Sequence, residues 1–255
     1  MEFIDTHSHN SDEAYAGCED EVIRRAADAG VSHILQADID SSERDAMYSL
    51  AERYPGFLHP MLGLYPGSVD KNWKDEIDLL EKYLDRKPVA IGEIGLDYHE
   101  GKEFADEQKE AFIVQLEMAS RLDLPVNIHL RDATEDFFSV MESCRHLNLR
   151  GNLHAFSGSF ETFGRLRRYG DWYVGIGGVV TFRKASIAEE LKRIPLESIL
   201  LETDSPYLAP TPLRGTRNES ANIPLIAATV AAIKGTDIGT VAEITTSNAK
   251  KLFSI

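Results

Sequence analysis

Cysteine is nearly missing from this sequence. Cys18 and Cys144 are the two among 255 residues, and no Cys-x-x-Cys pair occurs. That excludes a disulfide-stapled scaffold and a thiolate-knotted metal site, and it reads as two free thiols in a reducing, cytoplasmic setting. Long apolar runs are missing too: none approaches the ~18 residues of a membrane span, and no basic-then-apolar leader opens the chain. A membrane association is therefore not expected. Positive charge is scarce, with 27 Lys and Arg against 42 Asp and Glu and a formal net charge of −15. Wrapping a long stretch of duplex needs many cations on one surface, so that class of partner is excluded. A locally positive pocket created by bound metal ions remains compatible with an acidic chain. There is no Gly-x-Gly-x-x-Gly fingerprint, no low-complexity segment and no break in composition that reads as a linker.

What is present is a core and a rhythm. Hydrophobic residues make up 43% of the chain, enough for a full interior. Short apolar runs at 1–4, 33–37, 57–64, 89–94, 125–130, 150–155, 172–177 and 198–202 read as strands. Between them, 19–30, 42–53, 72–86, 105–122, 133–147, 160–169 and 187–194 read as helices, and two more, 224–233 and 239–253, close the chain. Strands that are apolar on both faces and alternate with helices belong in a parallel sheet covered on both sides. Eight alternations over this length predict a TIM (β/α)8 barrel, one α/β domain over residues 1–255.

That architecture places reactive residues at the C-terminal ends of the strands. The first strand runs into Asp5-Thr6-His7-Ser8-His9. Positions two apart on a strand share a face, so His7 and His9 are a ready pair of imidazole ligands. Glu93 falls near the end of the fourth strand, His129 ends the fifth, His154 ends the sixth and Asp204 follows the eighth. Four imidazoles and two carboxylates suit Zn, Mn or a similar divalent ion rather than Ca. Six ligands exceed what one catalytic ion takes, since three protein ligands plus water is usual. Two ions bridged by Glu93 accommodate them. Two such ions against two carboxylates leave a net charge of about +2, which attracts an anionic group and acidifies a water. Phosphoryl transfer to water is the natural reaction, with Asp204 and Glu93 as its catalytic carboxylates and Asp204 placed to act as base.

These motifs, taken in order, resemble one family. Asp5-Thr6-His7-Ser8-His9, Gly92-Glu93-Ile94-Gly95-Leu96-Asp97-Tyr98, His129-Leu130-Arg131, His154-Ala155-Phe156-Ser157-Gly158 and Leu201-Glu202-Thr203-Asp204-Ser205-Pro206 are similar to those of the TatD-type metal-dependent deoxyribonucleases of the amidohydrolase superfamily. Arg217-Asn218-Glu219 and Asn248 also match. The resemblance implies a TIM barrel with His7, His9, Glu93 and Asp204 around one ion and Glu93, His129 and His154 around a second, the ions being Zn, Mn or Mg. It implies a 3′→5′ exonuclease on single-stranded DNA, with no obligate protein partner evident.

Two departures stand out. Gly63-Leu64-Tyr65-Pro66 replaces a Gly-x-His-Pro segment whose histidine helps at the phosphate, and Ser220 replaces a proline after Glu219. Tyr65 still donates a hydrogen bond but cannot be cationic. It is expected to bind substrate together with Arg131, Arg183 and Arg217, with Lys184 and Arg214 extending a basic patch. Phe156, Phe182, Tyr98 and Tyr207 are candidates for base stacking, and Asp97 for supporting a ligand. Glu202 reads either as a support of the site or as a barrel-interior carboxylate. His33 and His59 are read as core, His99 and His146 as solvated. The competing function is amide, ester or lactone hydrolysis on the same metal site.

Overall fold

A computed structural model describes residues 1–99 and 101–255. Eight parallel strands alternate with helices in chain order: β1 (Phe3–Ser8), α1 (Glu19–Asp28), β2 (Val31–Gln36), α2 (Ser41–Arg53), β3 (Leu58–Pro60), α3 (Trp73–Leu80), β4 (Ile91–Asp97) and α4 (Ala105–Leu122). Then come β5 (Val126–Arg131), α5 (Thr134–Ser143), β6 (Gly151–Leu153), α6 (Phe160–Leu166), β7 (Trp172–Ile176), α7 (Ile187–Leu191), β8 (Ile199–Leu201), α8 (Ile223–Lys234) and α9 (Ile238–Phe253). The strands pair as β1-β2-β3 and as β4-β5-β6-β7-β8. Two single parallel bridges, Leu62 with Ile91 and Ser8 with Ser205, join those two sheets and complete the ring of the TIM barrel.

Some of the helices start at a side-chain cap. Asp40 accepts the Ser42 N–H at 2.9 Å ahead of α2, and Asp237 accepts that of Thr240 at 2.9 Å ahead of α9, each satisfying an orphan donor of a first turn. Their apolar stripes pack outside the strands, with Phe112 of α4 and Phe137 of α5 stacked 6.1 Å apart in the main core. At one end of the barrel Ile4, Leu35, Met61 and Leu200 form a second buried cluster, closed by Leu252 and Phe253 of α9.

Several strands differ from their expected bounds: β1 runs on to Ser8, β6 stops at Leu153, and β3 and β4 differ for reasons visible in their pairing. The third is short because the chain changes partners after Pro60: the Met61 N–H still bonds the Gln36 carbonyl, but the Leu62 N–H turns to that of Ala90. The fourth runs on to Asp97, with a register irregularity between Ile91 and Ile94, so Glu93 stands near its start rather than its end. Within that strand Gly95 has φ +140°, and a Cβ there would run into the His129 carbonyl. The close approach of β4 to β5 therefore requires glycine. Among the described residues, no single helix is long and apolar enough to cross a membrane.

Candidate metal centre

Six side chains converge at one end of the ring. The Nε2 atoms of His7 and His9 are 3.2 Å apart, and Asp204 Oδ1 lies 3.6 Å from the first and 3.5 Å from the second. Opposite them, His129 Nδ1 and His154 Nε2 are 3.1 Å apart. Both face Glu93 Oε1, at 2.8 and 2.7 Å. The other oxygen, Glu93 Oε2, lies 3.4 Å from His7 Nε2 and 3.8 Å from His9 Nε2. Glu93 thus stands between two histidine pairs with one oxygen turned to each. All six side chains predicted as ligands come together.

Neighbouring groups aim the rings. Asn127 Oδ1 sits 2.8 Å from His7 Nδ1, and accepting a proton there leaves the Nε2 lone pair facing the centre. Asp97 Oδ2 does the same for His129 from the other side of the ring, 2.8 Å from Nε2, so that Nδ1 faces inward. This is the supporting role expected of Asp97. His7 and His154 stack with centroids 3.8 Å apart.

The electrostatics call for added positive charge. Burial opposes ionisation of Glu93 and Asp204, yet the surrounding histidines hold both carboxyls below their ordinary range. Burial likewise opposes the His7 imidazolium, but Glu93 and Asp204 outweigh it and carry the ring up to about 10. Protons or cations satisfy such a cluster equally in sign. Geometry favours cations: the donor atoms of His7, His9 and Asp204 all lie within 4.8 Å of one another, as do those of His7, Glu93 and His154. Buried imidazole nitrogens and carboxylate oxygens turned to a common point fit a borderline divalent ion.

Below the ligands lies a polar layer. Asp5, Asn127, Asn152 and Glu202 stand two positions before His7, His129, His154 and Asp204, and all four are fully buried. Glu202 is therefore a barrel-interior carboxylate; it accepts the Ala155 N–H, and burial pushes it up to about 8. Asp5 accepts the Thr203 N–H at 2.9 Å and its hydroxyl at 2.6 Å. Asn218 donates to the carbonyls of Thr203 at 2.9 Å and Tyr207 at 2.7 Å, bracing the loop that carries Asp204. Asn248 donates to Leu196 and Ile199, both at 2.8 Å, and ties α9 to β8. Asn127 and Asn152 escaped the sequence reading, although the two-residue period from a predicted ligand marks both.

The expected substrate residues divide. Tyr65 and Arg131 line a pocket of about 610 Å³ that opens onto His9, Glu93, His129, His154 and Asp204. Arg183 and Lys184 are exposed and lie outside that pocket. Arg217 is engaged elsewhere: it donates to the Ala14 carbonyl at 2.7 Å and to Glu219 at 3.1 Å, with its guanidinium 4.8 Å from the Tyr15 ring. Arg214 lies over Phe182 at 4.1 Å. Among the described residues, a continuous basic patch is thus not assembled at the mouth. Phe156 and Tyr207 line the pocket, whereas Tyr98 is buried with its hydroxyl donating to Asp136 at 2.8 Å.

The model of the family described as TatD related DNase matches residues 4–254. This chain belongs to that family. As a TatD-family metal-dependent hydrolase it is 37% identical over 254 residues to the uncharacterized metal-dependent hydrolase YabD of Bacillus subtilis, covering 99% of each chain. It is 33% identical over 249 residues to the 3′-5′ ssDNA/RNA exonuclease TatD of Erwinia tasmaniensis, covering 94% of this chain and 95% of that one. The crystal structure of YjjV, a TatD homologue from Escherichia coli, superposes with a TM-score of 0.92 at 30% identity, covering 99% of this chain and 98% of the other. The TatD-family assignment agrees with the histidine and carboxylate centre and with the barrel that holds it.

Proposed function

We propose that this TatD-family hydrolase is a two-metal phosphodiesterase that shortens single-stranded DNA from its 3′ end. The observation that carries this is the placement of Glu93, one oxygen against His7 and His9 and the other against His129 and His154. A carboxylate so placed could serve both sets of donors. His7, His9, Glu93 and Asp204 would hold one, and Glu93, His129 and His154 the other. Divalent ions there supply Lewis-acid chemistry, polarising a phosphoryl oxygen and acidifying a water.

The chain's own groups do the rest. Asp204, held as the carboxylate, takes the proton of the attacking water. Arg131, exposed at the end of β5 and lining the pocket, pairs with a phosphate oxygen. Tyr65 donates its hydroxyl, now 3.3 Å from Asp97 Oδ2, toward the same group. The two free thiols, Cys18 and Cys144, support a reducing compartment.

The test pairs metal content of the purified protein with Mg- and Mn-dependent degradation of an oligonucleotide labelled at one end. Two ions per chain and stepwise shortening from the 3′ end are expected, abolished by chelator and by Asp204→Ala. Full activity in Asp204→Ala would overturn the mechanism. Tyr65 in place of histidine, with a mouth poor in cations, favours one second reading: amide, ester or lactone hydrolysis. Bound metal with an intact oligonucleotide would select it.

A further inference from the structure

The pocket beside the metal centre has two unlike sets of lining residues. One carries the donors and Arg131. The other is built by Leu130, Phe156, Ile176, Val179, Val180 and Leu208, from the ends of β5 and β7 and the loops after β6, β7 and β8. Phe156, Ile176 and Val180 are buried, while Val179 is half-buried and Leu208 is 42% exposed. A phosphate needs no apolar wall. At about 610 Å³ the cavity has the size of a small-ligand site, within the ~300–1,000 Å³ of such pockets.

We propose that this wall is a subsite for the base of the terminal nucleotide, whose phosphate lies at the donors and Arg131. The proposal rests on the phosphodiesterase reading and deepens it. Three observations carry it. The apolar wall and the donors share one cavity, so a group covalently attached to the reacting phosphate reaches the wall without leaving the site. Tyr207, half exposed on the lining, offers aromatic surface against which a planar ring packs, and Phe156, mostly buried in the core, also reaches that lining. Beyond Arg131 the adjoining cleft carries Asp97 and Glu103, a lining that repels a polyanion rather than tracking it. Recognition is therefore concentrated on the end unit. The six apolar residues carry no side-chain donor or acceptor, and the Tyr207 hydroxyl is already given to Asp12 at 2.8 Å, so base contact there is by packing rather than by reading of base edges.

Titration calorimetry on the metal-loaded full chain tests this, with deoxythymidine 5′-monophosphate, deoxyadenosine 5′-monophosphate and 2-deoxyribose 5-phosphate as probes. The two nucleotides are expected to bind within about threefold of each other and at least about tenfold tighter than the sugar phosphate. Val179→Asn, which sets a neutral polar group into the apolar lining, is expected to cut that advantage while changing sugar-phosphate affinity less; Leu208→Asn, on an exposed position, weakens it. Equal affinity for nucleotide and sugar phosphate overturns the proposal, as does an advantage that survives in both variants. Octyl phosphate binding tighter than either nucleotide overturns it in favour of an aliphatic substituent. The readout is independent of catalysis: preferential nucleotide binding beside an uncut oligonucleotide upholds the subsite and rejects the exonuclease reading.

Discussion

Arg44 Nε lies 2.6 Å from Asp38 Oδ2, and neither side chain reaches solvent. Asp38 follows β2 and Arg44 sits on α2, but the pair acts on two other segments. The same Oδ2 accepts the Gly63 N–H at 3.1 Å and Arg44 Nη2 donates to the Gly63 carbonyl at 3.3 Å, fixing the chain two residues before Tyr65. The Asp38 carbonyl accepts the N–H of Glu93 at 3.1 Å. Burial pushes the Asp38 carboxyl up to about 7 against the pull of the guanidinium, so the charge survives there only while its partner does. Arg44→Met or Asp38→Asn, each leaving one buried partner uncompensated, is expected to cost about 3–5 kcal/mol. Urea unfolding checks this, and the double variant should recover part of the loss. Single variants as stable as the parent would show the pair to be inert.

Glu93 touches both histidine pairs, which predicts an unequal response of metal content to substitution. Glu93→Gln is expected to lower both equivalents of bound metal, whereas His9→Ala or His129→Ala lowers one. Elemental analysis after dialysis against a weak chelator reads this directly. Equal, single-equivalent losses in all three would mean that Glu93 serves one ion.

Much of this site is visible in the sequence because barrel geometry converts strand ends into a rim. His7, His129, His154 and Asp204 needed only a strand boundary good to a residue or two. Asn127 and Asn152 follow from the same period, two positions earlier. What escaped depends on side chains meeting across the fold. Nothing near Arg217 announces Ala14 or Tyr15, some two hundred positions away, as its partners. Nothing in the sequence singles out Asp38 and Arg44, whose shared partner Gly63 is about twenty positions further along the chain. The continuation of β4 past Glu93 to Asp97, paired with His129–Arg131 of β5 beyond a register irregularity, is something no apolar pattern encodes.

Tyr65 meets His129 edge-on, with ring centroids 5.1 Å apart, and shares Asp97 with it. Burial and the nearby carboxylates raise its phenol pKa, so it remains a neutral donor. Tyr65→His adds a group able to carry positive charge. Turnover of single-stranded DNA is expected to rise by about tenfold, the equivalent of one added charge-assisted hydrogen bond. The gain should grow as pH falls, because the imidazolium is the useful form. A rate unchanged across pH would remove Tyr65 from substrate binding.

His33 and His59, on adjacent strands away from the centre, are half-buried and joined Nδ1 to Nε2 at 2.9 Å. They are thus a hydrogen-bonded pair rather than inert packing. Burial first, then the proximity of His33, takes His59 down to about 4. Burial and Lys250 lower His33 as well, with Glu2 opposing. An unfolded histidine titrates near 6.5. Above that value both states are neutral and the pair's contribution to stability is fully present. As pH falls from about 6.5 toward 4 the unfolded chain takes up protons that the folded one refuses, and stability is lost. His59→Phe should therefore flatten the fall in urea midpoint between pH 7 and 5, on the order of one proton fewer taken up on unfolding. The metal-site histidines titrate in both proteins and cancel in the difference. An identical pH slope in parent and variant would show that His59 charges as freely in the folded barrel as in the unfolded chain.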